Sequence, residues 1–186
     1  MFSRRQWAVG SAIVVLALSA LVLADSGFGE PGVRRVVRWT ARSSLVLSSA
    51  ALAGPALSAA GWLARNRHGL LAALASSHAL HGAAIGVLAI LTGGRNLEER
   101  ASPLIVVGGL LGYVAIGWAA LRPDHRLTGP GLVWVWGVFA FSYLPRALRS
   151  PVPYLLPLAM LALVMLALIV GRLRSRVPTV AAAGSA

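Results

Sequence analysis

Six apolar runs, each close to the length that crosses a bilayer, take up most of this chain and leave connections too short for a separate soluble domain. A hydrocarbon core about 30 Å thick needs about 20 apolar residues of helix. The runs are Trp7–Ala24, Ser43–Ala64, Gly69–Thr92, Pro103–Leu121, Gly131–Ala147 and Val152–Val170. Backbone groups in lipid must pair internally, and nothing in these runs shows the alternation of barrel strands. The expectation is an all-α integral membrane protein, a six-helix bundle over residues 1–172 with a disordered tail over residues 173–186.

Composition agrees: 58% of residues are hydrophobic and only 12% charged. The 17 basic residues are all Arg and stand against five acids, a formal charge of +12. They are scattered in ones and twos between apolar runs and form no basic face interleaved with aromatics, which argues against a nucleic-acid partner. They read as interface anchors in contact with anionic head groups of the bilayer. The absence of Cys excludes disulfides, thiolate metal sites and a Cys nucleophile. All five acids fall outside the apolar runs and no pair of broken helices is evident, so a transporter ranks last among the readings.

The longest connection, "DSGFGEPGVRRVVRWTAR", carries Arg34, Arg35, Arg38 and Arg42 and is expected to lie partly on the membrane surface as a turn or two of amphipathic helix. With those four set aside, the Arg bias favours both termini in the cytoplasm. The first run also has the basic start and small-residue end of a secretory signal, but it exceeds the roughly 7–15 apolar residues of a signal core. Gly54-Pro55 predicts a kink in the second run. Gly108 and Gly112, four apart, offer a close-packing face for another helix, within the bundle or in a homo-oligomer.

The third run contains "SSHALHG", and with it the chain's most demanding chemistry. His78 and His81 would lie about 60° apart around a helix and about 4.5 Å along it, on one face near the middle of the span. A ring N–H and a ring lone pair both need partners away from water, so intramembrane ionisable groups point first to function. Axial ligation of haem iron suits the placement, since a helix bundle supplies the apolar slot and imidazole the nitrogen. Hydrogen bonding of both rings to neighbouring helices is the alternative. His68, at the mouth of the same run, and His125, in "RPDHRL", fall on one side of the membrane and could form a surface site. Trp134 and Trp136 are two apart and point to opposite sides of their helix, so at most one lines a cofactor slot. Tyr143 is a candidate hydrogen bonder within the bundle, and Arg146 an interface anchor or a partner for a haem propionate.

"RNRHGLLAALASSHALHG", "GLVWVWGVFAFSYLPRALRSPVPY" and, more weakly, "RWTARSSLVLSSAAL" resemble the bacterial ferric reductase-like transmembrane domain family over about Arg38 to Tyr154. The wider superfamily includes NADPH oxidases and MsrQ-type haem subunits of methionine sulfoxide reductase systems. The resemblance implies a six-helix bundle in the bacterial inner membrane that passes single electrons through haem b, with ligands from the third and fifth helices. It carries the ligand role onto His81, with His78 as neighbour or alternative. The fifth run departs from the pattern, having Leu127-Thr128 where the family often has Leu-His. Three accounts stay open: His125 stands in; the haem is held from one side by His81 or His78, or shared with a second subunit; or the fold persists as a haem-free accessory or structural protein. No G-x-G-x-x-G unit is present, so the chain has no FAD or NAD domain of its own, and electrons would come from quinol or a separate reductase.

Overall fold

Ser3 starts the first helix. Its Oγ accepts the Gln6 N–H at 3.2 Å while the Gln6 side chain accepts the Ser3 N–H at 2.7 Å, a reciprocal cap that satisfies two backbone donors. The computed structural model describes residues 3–57, 61–95 and 103–176, and over these every regular element is helical. The elements are α1 (Arg4–Ser26), α2 (Glu30–Leu57), the single turn α3 (Trp62–Arg65), α4 (Arg67–Leu91), α5 (Pro103–Leu121), α6 (Thr128–Arg149) and α7 (Leu155–Arg176), with a 3₁₀ turn at Val152–Tyr154.

Four helical stretches are long and apolar enough to cross a membrane: Arg4–Ser26, Arg67–Leu91, Thr128–Arg149 and Val152–Leu173. Large apolar side chains such as Leu21, Leu110, Val114 and Leu163 are more than half exposed, as helix faces turned to lipid are. The protein is an all-helical membrane protein.

The segment expected to hold a turn or two of surface helix is helical and continuous with α2, which starts at Glu30 rather than Ser43. Gly27 ends α1 at φ +79°, and a Cβ on Gly32 would lie 1.9 Å from the Gly27 carbonyl oxygen, so the chain reverses there only because both positions are glycine. The Arg side chains then find partners without breaking the helix. Arg34 pairs with Glu30 one turn back. Arg35 reaches Asp25 at 3.1 Å and Ser26 Oγ at 2.8 Å. Arg42 lies over the Trp39 ring and donates to the Pro153 carbonyl at 3.2 Å.

The second run does not form one helix to Ala64: α2 is described to Leu57, and Gly61 is extended ahead of the separate turn α3 at Trp62. α7 runs on to Arg176, taking in residues expected in the tail; the remaining tail, 177–186, lies outside the described residues.

α2 and α4 form the centre. α2 packs against α1, α4, α6 and α7, while α4 packs against α1, α2 and α5. Leu45, Leu71, Leu74, Ile116, Leu132 and Val135 fill the space between them. Between helices in lipid the gain comes from close packing and hydrogen bonds, because the tails are as apolar as the side chains. The two tryptophans of α6 use both. Trp134 Nε1 donates to the Gly108 carbonyl on α5 at 3.3 Å, and Trp136 Nε1 to the Leu161 carbonyl on α7 at 3.1 Å. Both therefore brace helix contacts, one on each flank. α1 is seated by Trp7, whose ring covers Gly69 so closely that a Cβ there would lie 2.3 Å from it.

Candidate functional site

On α2, Thr40, Ser44 and Ser48 recur every four residues and are all buried. On α4, Ala73, Ser77 and His81 share the same spacing. The two rows meet antiparallel as a polar seam inside the bundle: Thr40 Oγ1 lies 3.0 Å from His81 Nδ1, and Ser44 Oγ lies 3.2 Å from Ser77 Oγ.

The direction of the Thr40–His81 hydrogen bond follows from proton counting. Thr40 has one hydroxyl proton, and its Oγ1 stands 2.9 Å from the Val36 carbonyl and 3.1 Å from the Val37 carbonyl, both acceptors of its own helix. That proton is used within α2, so Oγ1 accepts and His81 Nδ1 carries the hydrogen. With hydrogen on Nδ1, a neutral His81 keeps its lone pair on Nε2.

His78 lies one turn earlier, with its ring centroid 5.6 Å from that of His81 and 4.2 Å from that of Tyr113 on α5. It is 9% exposed. Its Nδ1 is buried with no hydrogen-bond partner among the described residues, and the same holds for the Tyr113 hydroxyl. Tyr113 Oη also sits over Gly82, where an added Cβ would lie 2.9 Å away. Two unpaired buried polar atoms thus occur side by side at the α4–α5 contact, where each lost partner costs about 1–3 kcal/mol.

The other sequence candidates lie elsewhere. His68 does not pair with His125. Its Nδ1 is 2.9 Å from an Arg4 guanidinium nitrogen, which can only donate, so His68 Nε2 carries the hydrogen and donates to Asp124 Oδ1 at 2.9 Å. His125 packs edge-on against Trp118, ring centroids 5.3 Å apart, and its Nδ1 accepts the Leu127 N–H at 3.2 Å. It stands beside Asp124, at the level of His68. Thirteen residues of helix, about 20 Å, separate that level from His81, so His125 does not stand in as a facing ligand. Tyr143 is buried in an aromatic group, stacked on Phe139 with centroids 6.2 Å apart and 5.9 Å from Tyr154. Arg146 is exposed. Thr128 is buried at the start of α6, where its Oγ1 donates to the Arg122 carbonyl at 2.7 Å.

Sequence reasoning missed Thr40, Ser44 and Tyr113. Thr40 falls in the connection read as a turn or two of surface helix and Ser44 in the second apolar run, and their four-residue spacing identifies one face once the two are joined as a single helix. Tyr113 is a single polar tip within an apolar run. No protein-family model, curated protein or solved structure matches the chain. No cluster of three or more metal-ligating side chains occurs among the described residues.

Proposed function

We propose that this chain is a ferric reductase-like membrane protein, a bundle of six crossings in which His81 holds haem b for one-electron transfer across the bacterial inner membrane. The observation that carries the reading is the Thr40–His81 hydrogen bond. Haem-ligating imidazoles donate their second ring nitrogen to a fixed acceptor, which sets the tautomer and raises the basicity of the coordinating nitrogen. Thr40 does this for His81 Nδ1 and leaves Nε2 as the ligand atom. His81 would thus suit holding the haem from one side.

For the second position, α6 offers no imidazole. Thr128 is engaged at the membrane edge, and α6 does not pack on α4 among the described residues. The ligand on that side would come from a second subunit, or the haem would be held from one side. His78, with Nδ1 unpaired beside His81, is the nearest reserve ligand in this chain.

Haem, when bound, supplies the one-electron chemistry. The protein's own part is to aim His81 Nε2, to keep water from it with the apolar walls of α2, α4 and α5, and to set potential through the Nδ1 hydrogen bond. With no nucleotide-binding unit in the chain, the electrons would be delivered by quinol or by a separate reductase. Crossings by α2 and α5 belong to this reading, with both termini and the His68 end in the cytoplasm.

A haem-free accessory role is the second reading, favoured by the Ser44–Ser77 and Thr128–Arg122 hydrogen bonds, which satisfy polar groups internally. An optical spectrum of detergent-purified protein, expressed with ample haem, separates the two. The redox reading expects a Soret band with sharp reduced α and β bands, lost in His81→Ala. A flat spectrum, or bands unchanged in both His81→Ala and His78→Ala, overturns it.

A further inference from the structure

α1 and α2 are pinned together at one end, where Gly32 meets the Gly27 carbonyl and Arg35 meets Asp25, and at the other end a cleft of about 920 Å³ lies between them with α4 as its floor. That volume falls in the range of about 300–1,000 Å³ typical of small-molecule sites. Its lining is graded. At the mouth are Gln6, Arg65 and Asn66; next come Trp7 and Trp62, ring centroids 5.6 Å apart; deeper in the span the walls are Val14, Leu18 and Val46.

We infer that this cleft holds one anionic phospholipid, its phosphate at the Arg65 and Asn66 mouth and an acyl chain running between α1 and α2. Charge complementarity selects the occupant. The cleft opens at the His68 end, where the segments carrying Arg4, Arg5, Arg65, Arg67, Arg122 and Arg126 contribute one carboxylate among the described residues, Asp124, so the charge at this end is strongly positive even with Arg4 bonded to His68 and Arg67 to the Pro123 carbonyl. Basic pockets between membrane helices favour anionic head groups, and paired tryptophans mark the level where head group gives way to tail. The deep walls are half-exposed apolar side chains, which suit a hydrocarbon chain and no water-soluble ligand.

Gly10 provides the test, because it lines the cleft and a Cβ there meets nothing within 4 Å. Gly10→Leu keeps α1 a good helix while filling the acyl slot. Delipidated full-length protein in mild detergent is titrated with phosphatidylglycerol and, separately, with phosphatidylcholine of the same chains, and bound lipid is read by native mass spectrometry. The expected results are one tightly retained phosphatidylglycerol, preferred about tenfold; loss of that retention in Gly10→Leu; and loss of the preference alone in Arg65→Gln. Equal retention of the two lipids by the native protein overturns the inference, as does phosphatidylglycerol retention unchanged in both variants. Thermal melting of each variant separates a blocked cleft from a misfolded chain.

Discussion

Thr40 and His81 meet across the α2–α4 seam at 3.0 Å, with the threonine as acceptor because its only proton is spent on its own helix. Replacing Thr40 by Val keeps the shape and removes the acceptor. His81 Nδ1–H then loses its side-chain partner in the bundle interior, a cost of about 1–3 kcal/mol. Unfolding in mixed micelles should show this loss for Thr40→Val and near-native behaviour for Thr40→Ser. Equal stability of the Val and Ser variants would remove Thr40 as the group that sets the His81 tautomer.

The contact between Gly82 and Tyr113 predicts an unusual pair of effects. Gly82→Ala puts a Cβ 2.9 Å from Tyr113 Oη and should cost about 1–3 kcal/mol by overpacking. Tyr113→Phe removes a buried hydroxyl that has no hydrogen-bond partner among the described residues, so alone it should be neutral or stabilising. Combined, the two substitutions should be less costly than Gly82→Ala by itself. Thermal melting of the three variants measures this directly, and a strongly destabilised Tyr113→Phe would mean that the hydroxyl has a bonded partner.

The parts of the fold that could be read from sequence are those with local causes. α1, α4, α5 and α6 follow from apolar runs whose ends fall within about a turn of the helices observed, as expected when length and hydropathy decide, whereas α7 starts within a turn of its run but continues past Val170 to Arg176. The early start of α2 is not legible in its apolar run, because Arg34, Arg35, Arg38 and Arg42 read as a short membrane-surface segment. Two of the partners that let them stay helical, Asp25 beyond the turn and Pro153 at the start of the last hairpin, are known only once the chain is folded. The candidate site divides the same way. The His78/His81 face is written in a spacing of three, whereas Tyr113 and Thr40 reach it from other helices. His68 was legible as a residue at a helix mouth, but its acid, 56 positions away, was not.

That acid makes a pH prediction. The hydrogen bond from His68, with the charges of Arg67 and Arg4, holds the Asp124 carboxyl below its ordinary value of 3.8. A depressed folded pKa contributes stability that is present above the unfolded value and is lost as pH falls through the folded one. The native protein and Asp124→Asn should therefore differ most above about pH 4 and converge as pH drops below it. Because the carboxylate is exposed, the difference should also shrink in high salt. Stability measured against pH at two ionic strengths tests both statements, and a gap that widens on acidification would contradict them.

Ser44 and Ser77 close the seam one helical turn from His81, and their coupling can be isolated. Each hydroxyl is fully buried, and the two oxygens stand 3.2 Å apart. One donates to the other, so either Ala substitution strands its partner, while the double substitution strands nothing and leaves two small side chains that keep the helices close. Interhelical hydrogen bonds of this kind average about 0.6 kcal/mol in membrane proteins, with a maximum of about 1.7. A double-mutant cycle on Ser44→Ala and Ser77→Ala should return a coupling in that range. If α2 and α4 are instead held at this level by packing alone, the two substitutions will add, and the seam's rigidity around His81 will have to come from the Thr40 contact by itself.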